Sequence, residues 1–324
     1  MIDSSVFQGK KAAYFTLGCK LNFSETSTFG RLLQDMGVST AEEGDKADIC
    51  LINTCSVTEV ADHKCRQAIH RMVRQHPGAF VVVTGCYAQL EAETISKIEG
   101  VDLVLGANEK ANLIQYLSDA WTTAQPDSDD AVSDKSLHKH YSVKTKDIKT
   151  FAPSCSRGNR TRYFLKVQDG CDYFCTYCTI PFARGFSRNP SIDSLVEQAR
   201  QAAAEGGKEI VLTGIETAAY GTDLEVKRGT ALLSLVKRIS EIDGVKRIRF
   251  SSLEPTLFTE EFTARLSRIP KVMPSFHISL QSGSNEVLAL MKRKYNAEMF
   301  LRCVKLLRTY FNDLTVTTDV IVGF

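Results

Sequence analysis

Cys171, Cys175 and Cys178 put three thiols within eight residues, directly after an apolar run, Tyr163–Val167, that reads as a β-strand. This CxxxCxxC loop restricts the chain more than any other feature. Thiolates are the ordinary ligands of iron–sulfur clusters, and three from one loop leave one iron of a four-iron cluster open to a small molecule. A zinc site or spare core cysteines are the other readings. Structural zinc usually takes four ligands, commonly as paired CxxC motifs, and no second CxxC or HxxxH follows here.

Three more cysteines share one kind of position. Cys19 closes Tyr14-Phe15-Thr16-Leu17-Gly18, Cys55 closes Cys50-Leu51-Ile52-Asn53-Thr54, and Cys86 closes Val81-Val82-Val83-Thr84-Gly85. Each follows an apolar strand and precedes a helical segment. Ligands of open α/β sheets gather at the carboxyl ends of the strands, so three strands could bring these thiols to one point. Cys50, Cys65 and Cys303 sit inside predicted strands or helices and fit ordinary buried cysteine.

The remaining pattern sets the architecture. Strands read at Ala12–Leu17, Asp48–Asn53, Phe80–Thr84 and Val101–Leu105, and helices at Ser24–Met36, Thr58–Gln75, Leu90–Ile98 and Asn108–Ala120. That alternation predicts a parallel sheet covered by helices. The polar stretch 122–156 reads as a linker. Beyond it, strands at Tyr163–Val167, Glu209–Leu212, Arg247–Phe250, Ser275–Leu280 and Leu314–Val322 alternate with helices. Five β/α units predict a partial TIM-type barrel over 157–324, with a doubly wound sheet as the alternative. The expected fold class is therefore α/β, an open parallel sheet domain over 1–121 followed by that barrel. The chain stops at Gly323-Phe324, inside the last predicted strand, which reads as a truncated barrel.

Net charge is +2, so any nucleic-acid surface has to be local rather than global. No signal peptide or membrane-length apolar run is present, which sets a cytoplasmic expectation with no membrane partner. Ten cysteines in a reducing compartment then call for metal binding or catalysis rather than disulfides.

Several segments together resemble the radical SAM methylthiotransferase family. They are Thr16-Leu17-Gly18-Cys19-Lys20-Leu21-Asn22, Asn53-Thr54-Cys55, Thr84-Gly85-Cys86-Tyr87-Ala88-Gln89, and Gly170-Cys171 through Cys178-Thr179-Ile180-Pro181-Phe182-Ala183-Arg184-Gly185. His277 through Ser284 and Thr318 through Phe324 resemble later barrel segments. Leu17-Gly18-Cys19-Lys20-Leu21-Asn22 and Ser251-Ser252-Leu253-Glu254-Pro255 look most like the MtaB branch. Its members convert N6-threonylcarbamoyladenosine beside the tRNA anticodon to the 2-methylthio derivative. The resemblance implies two 4Fe–4S clusters, an auxiliary one on Cys19, Cys55 and Cys86 and a radical SAM one on Cys171, Cys175 and Cys178. It also implies S-adenosylmethionine, an RNA-binding TRAM domain that this chain lacks, a tRNA anticodon stem–loop as partner, and an electron donor such as flavodoxin or ferredoxin. Adenine C2–H is not acidic enough for a side-chain base, so no catalytic acid or base is assigned and the clusters carry the chemistry.

Tyr177, Gly214, Glu216, Glu254, Ser279 and Gln281 lie in the loop or at predicted strand ends and are candidates for S-adenosylmethionine. Asn or Asp is more usual in the family where this chain has Glu216. Asn22 and Asn53 are candidates for hydrogen bonding beside the first cluster. Arg184 and Arg188 are candidates for a substrate carboxylate or phosphate. Arg157, Arg160 and Arg162, with Lys292, Arg293 and Lys294, form candidate basic patches, for which a solvated charged face is an equal reading. Competing functions are a methylthiotransferase for isopentenyladenosine in tRNA or for a ribosomal-protein aspartate, and a non-catalytic, metal-stabilised RNA-binding module.

Overall fold

The computed structural model describes residues 5–124, 139–158, 161–222 and 227–324. The chain divides into two compact units, Met1–Ala152 with Phe182–Gly185, and Pro153–Pro181 with Phe186–Phe324.

The first unit is built on six parallel strands: β1 (Lys11–Thr16), β2 (Ser39–Thr40), β3 (Ile49–Thr54), β4 (Phe80–Gly85), β5 (Leu103–Leu105) and β6 (Lys139–Tyr141). Their order is β2-β1-β3-β4-β5-β6. The helices are α1 (Lys20–Asp35), α2 (Glu59–Gln75), α3 (Cys86–Leu90), α4 (Ala92–Ser96) and α5 (Leu113–Ala124). β3 and β4 are buried along their whole length, as continuous apolar runs in a central parallel sheet must be. Side chains alternate between two cores. Leu51 and Val82 pack with Phe29, Leu33, Leu117 and Trp121, while Ile52, Val81 and Val83 pack with Ile69, Met72, Tyr87 and Ile95. The chain runs outward from β1 to β2, then returns past β1 to β3. The sheet therefore reverses direction between β1 and β3, the switch point where such sheets open a crevice at their carboxyl edge.

The four predicted strands and the helices between them are present. The short edge strands β2 and β6 were not anticipated, because neither carries an apolar run. β6 lies in the stretch read as a linker. Residues 125–138 of that stretch lie outside the described residues.

The second unit holds β7 (Arg162–Lys166), α6 (Ile180–Arg184, its end grouped with the first unit), α7 (Ile192–Ala204), β8 (Glu209–Thr213), α8 (Thr230–Ser240), β9 (Arg247–Phe250) and β10 (Ser252–Leu253). It continues through α9 (Glu260–Ser267), β11 (Ser275–Ile278), α10 (Asn285–Leu290), α11 (Ala297–Tyr310) and β12 (Thr315–Thr317). Strands β7-β8-β9 and β10-β11-β12 pair in parallel and in sequential order. Sequential order is that of a (β/α) barrel wall, whereas a doubly wound sheet would reverse. Helix starts follow local chemistry: Ser191, Thr259, Ser284 and Asn296 each accept a backbone N–H three residues on. The last strand is three residues long rather than the predicted nine; beyond it Val320 bridges Gln281 alone. No helix of the described residues is long and apolar enough to cross a membrane.

Gly85 joins β4 to Cys86 at φ +104°, and a Cβ there would sit 2.3 Å from the Thr54 carbonyl oxygen. Gly85→Ala is therefore expected to cost more than about 2 kcal/mol, since backbone rather than a movable side chain blocks it. Urea unfolding of the two proteins checks this; equal midpoints would refute the steric argument.

Candidate functional site

The first cysteine triplet forms where β1, β3 and β4 end. Register sets this: Thr16 pairs with Asn53, and Asn53 with Thr84. Cys19 then caps α1 from an extended conformation, and Cys86 opens α3. Gly18 lets the backbone come close, because a Cβ there would lie 2.9 Å from the Cys55 sulfur. The thiols sense one another. Burial, then Cys86 and Cys19, push Cys55 up to about 12. Burial also raises Cys86, against the opposing pull of the Arg184 guanidinium. Cys19 is exposed, so the triplet opens to solvent on that side.

A buried polar network backs the triplet. Asn22 Nδ2 donates to Leu17 O at 2.8 Å and Thr54 O at 2.9 Å, tying the two cysteine loops together. Asn53 Nδ2 donates to Asn22 O at 3.1 Å and to Thr26 Oγ1 at 3.2 Å. Both asparagines thus lie beside the triplet, and Asn53 also supports α1. Arg184, 1% exposed, donates from Nε to Cys86 Sγ at 3.2 Å, from Nη2 to Asn22 Oδ1 at 2.6 Å and from Nη1 to Glu25 Oε1 at 3.1 Å. Glu25 takes Lys110 Nζ as well, at 2.7 Å. The side chain considered for substrate is thus turned inward onto a cysteine sulfur and a carboxylate.

The second triplet lies on the loop after β7. Gln168 braces it, donating from Nε2 to Gly170 O at 2.7 Å and accepting the Glu216 N–H at 2.8 Å. Gly214 packs on the same Gln168 side chain; a Cβ at Gly214 would stand 3.1 Å from it. Lys166 pairs with Asp169 at 2.6 Å, and Arg188 approaches the same carboxylate at 3.5 Å while donating to Phe186 O at 2.7 Å. Phe174, between the first two cysteines, takes φ +48°, a left-handed turn of the loop. Burial, then the nearby Glu216, Cys178 and Cys175, outweigh a Tyr173 backbone hydrogen bond and push Cys171 up to about 12.

Glu254 organises this site. Its carboxylate accepts from Tyr173 OH at 2.8 Å, Thr256 Oγ1 at 2.9 Å, Arg228 Nη2 at 3.0 Å and Arg293 Nη2 at 3.2 Å. Arg293 in turn donates from Nη1 to Cys175 Sγ at 3.1 Å. Burial and then the Glu254 charge raise Glu216, against Arg228 and Arg293. Tyr177 faces Arg293, and burial raises its hydroxyl to about 12. The structure therefore gathers Tyr177, Gly214, Glu216 and Glu254 around the loop. Ser279 and Gln281 enter by backbone: Ser279 N–H donates to Leu253 O at 3.0 Å, and Gln281, at φ +67°, donates to Asp319 O at 3.0 Å.

Sequence reasoning missed Glu25, Lys110, Gln168, Tyr173 and Arg228, and placed Arg293 only in a surface patch. Their roles come from partners far along the chain. Of the two basic patches, Arg157 pairs with Glu205 and Arg162 with Glu209, while Arg293 turns inward; Arg160 lies outside the described residues.

Both triplets are all-thiol sets of three, the donor chemistry of an iron–sulfur centre with one position left open. Among the described residues no three metal-binding side chains converge tightly enough for one ion. A single ion with sulfurs at about 2.3 Å needs tighter convergence than a cluster spread over four irons.

Comparison with known proteins agrees with this division. Residues 11–106 match the uncharacterized protein family UPF0004, and residues 165–324 match the radical SAM superfamily. A threonylcarbamoyladenosine tRNA methylthiotransferase MtaB of Bacillus subtilis is 40% identical over 312 residues, covering 96% of this chain and 66% of its own length. The MtaB of Aquifex aeolicus is 36% identical, with 97% and 73% covered. A tRNA-2-methylthio-N(6)-dimethylallyladenosine synthase of Thermotoga petrophila is 31% identical, with 95% and 67% covered. The chain thus spans about two thirds of the length of these relatives. Among solved structures, the radical S-adenosylmethionine methyltransferase TsrM of Kitasatospora setae superposes with a TM-score of 0.63 at 14% identity, over 96% of this chain and 67% of its own. The fold and the second loop thus define a radical SAM protein, whose class takes S-adenosylmethionine on a four-iron cluster. Within that class, the chain belongs to the methylthiotransferase family that includes the MtaB proteins.

Removing the carboxylate that holds two buried cations should be costly. Glu25→Gln is expected to lower stability by about 3 kcal/mol or more, by stranding Lys110 and Arg184. Chemical denaturation measures it; a loss under about 1 kcal/mol would show that these charges are solvated after all.

Proposed function

We propose that this protein is a tRNA methylthiotransferase that converts N6-threonylcarbamoyladenosine, beside the anticodon, to its 2-methylthio derivative. The observation that carries the reading is the pair of thiol triplets, each built at strand ends of its own unit, in a chain 40% identical to a protein of that name. The donor sets fit two four-iron clusters: three thiols each, of which Cys55 and Cys171 are raised chiefly by burial, and thiols yield their protons when a cationic centre arrives. Cys171, Cys175 and Cys178 would hold the radical SAM cluster, and Cys19, Cys55 and Cys86 the auxiliary one. When bound, these groups and S-adenosylmethionine supply hydrogen abstraction from adenine carbon 2 and delivery of a methylthio group there.

The residues of the chain position and shield. Gln168 and the Lys166–Asp169 pair fix the second loop before any cofactor binds. Glu254 holds Arg293 against Cys175, and Arg228 and Tyr173 fix that carboxylate in place by hydrogen bonds. Glu216, held toward its neutral form, gives a polar wall that adds little negative charge beside bound S-adenosylmethionine. In the first unit, Asn22 fixes the loops of Cys19 and Cys55. The anticodon loop offers its adenosine at a low unstacking cost, and the reaction belongs to the cytoplasm, where tRNA and a one-electron donor such as flavodoxin or ferredoxin are present. A dimethylallyladenosine substrate is the second reading, favoured by the 31% identity to synthases of that name.

Anaerobic reconstitution should give about eight irons per chain, falling to about four in a Cys19→Ala, Cys55→Ala, Cys86→Ala triple variant. That variant should keep S-adenosylmethionine cleavage and lose methylthio insertion. About four irons in the unaltered protein would overturn the second cluster. Nucleoside mass spectrometry of tRNA from a deletion strain tests the substrate: persistence of the 2-methylthio-threonylcarbamoyl nucleoside would overturn it, and loss of the dimethylallyl counterpart would select the second reading.

A further inference from the structure

Beyond its first turn, α2 is basic on its outer side. From His63 to Gln75 it carries Lys64, Arg66, Arg71 and Arg74 and not one Asp or Glu. Arg66 is engaged, donating to Tyr87 OH at 2.7 Å. Lys64, Gln67, His70, Arg71 and Arg74 are exposed and line an open groove of about 580 Å³, with Phe15 and Leu17 as its apolar floor. Among the described residues, no ion pair involves Lys64, Arg71 or Arg74. Several other cations of this unit are paired with carboxylates, such as Lys10 with Asp48, Lys11 with Asp45 and Lys97 with Glu93.

Spacing makes the charges one stripe. Positions 64, 67, 71 and 74 recur at three and four residues and share a helix face, and Lys64 to Arg74 covers about 15 Å at 1.5 Å per residue. That length matches a run of roughly four phosphates along one nucleic-acid strand. Arg71 lies 4.6 Å from the Phe15 ring centroid, so a flat cation and an aromatic face are already stacked in the groove floor. Phosphate-binding cations beside stacking planes are the combination single-stranded RNA loops require. The groove floor ends at Leu17, two residues before Cys19, so it runs toward the exposed edge of the first cysteine triplet.

We propose that this groove binds the phosphate backbone of the RNA substrate and leads the strand to the first triplet. The inference rests on the tRNA reading above and adds a surface to it. Helix α2 then supplies affinity rather than base selectivity, since phosphate contacts position a nucleic acid without reading sequence.

The test uses the holoenzyme and a synthetic anticodon stem–loop carrying threonylcarbamoyladenosine. Fluorescence anisotropy gives Kd as a function of salt for the unaltered protein, a Lys64→Glu, Arg71→Glu, Arg74→Glu variant and a neutral Lys64→Gln, Arg71→Gln, Arg74→Gln variant. The reversal variant is expected to bind about tenfold more weakly or worse, with a log–log salt slope shallower by about two to three. RNA-independent S-adenosylmethionine cleavage should stay unchanged. Unaltered affinity and slope in the variants would overturn the groove while leaving the tRNA reading in place. Failure of the unaltered holoenzyme to bind this RNA would overturn both. Binding of phosphatidylglycerol vesicles through the same residues, without RNA affinity, would assign the groove to a lipid surface instead. Should the reversal variant lose S-adenosylmethionine cleavage, the neutral variant decides, and an unchanged slope there counts against the proposal.

Discussion

Parallel pairing in strict register is what the first site depends on. A parallel sheet sends every strand to the same edge, and each crossover helix starts there. Because Thr16, Asn53 and Thr84 are cross-strand neighbours, the residues that follow them emerge side by side. Cys19, Cys55 and Cys86 are separated by 36 and 31 positions in the chain, yet pairing alone makes them neighbours. Slipping one strand by one residue would turn its side chains to the other face and scatter the triplet. The buried runs of β3 and β4 prevent that slip, since both faces are packed and any shift exposes apolar surface.

The sequence made this architecture legible where periodicity was strong and silent where it was weak. Apolar runs such as Val81-Val82-Val83 announce central strands, and the cysteines stand at their ends, so both triplets could be read from position. β2 and β6 were invisible because an edge strand needs only backbone pairing; Lys139-His140-Tyr141 carries no apolar signal. The start of α1 was placed too late, and α3 was missed, for a related reason. Cys19 and Gly85, rather than the usual Ser, Thr, Asn or Asp, precede those helices and accept no capping bond with a side chain. The partners of the sites were the least legible part. Glu25 reads as one acidic residue of an amphipathic helix, and Arg293 as one of three basic neighbours. Only long-range packing shows that each is buried against groups tens to hundreds of positions away.

Those partners follow one plan in both units. Arg184 donates to Cys86 and is held by Glu25; Arg293 donates to Cys175 and is held by Glu254. A buried arginine without a carboxylate would be prohibitively costly, and a buried glutamate without a cation equally so. Each pair is tolerable because the two charges answer one another, and the guanidinium still has an N–H to direct at sulfur. The consequence is asymmetry within each triplet. One cysteine of three meets a permanent cation, while Cys55 meets burial and other thiols and Cys171 meets burial and the Glu216 charge. At Cys86 and Cys175 the guanidinium N–H is a charge-assisted hydrogen-bond donor to sulfur. Hydrogen bonds to sulfur are also among the protein's levers on cluster potential. The acidic residue in each pair therefore acts on sulfur chemistry at one remove: it touches no cysteine, but it fixes the cation that does.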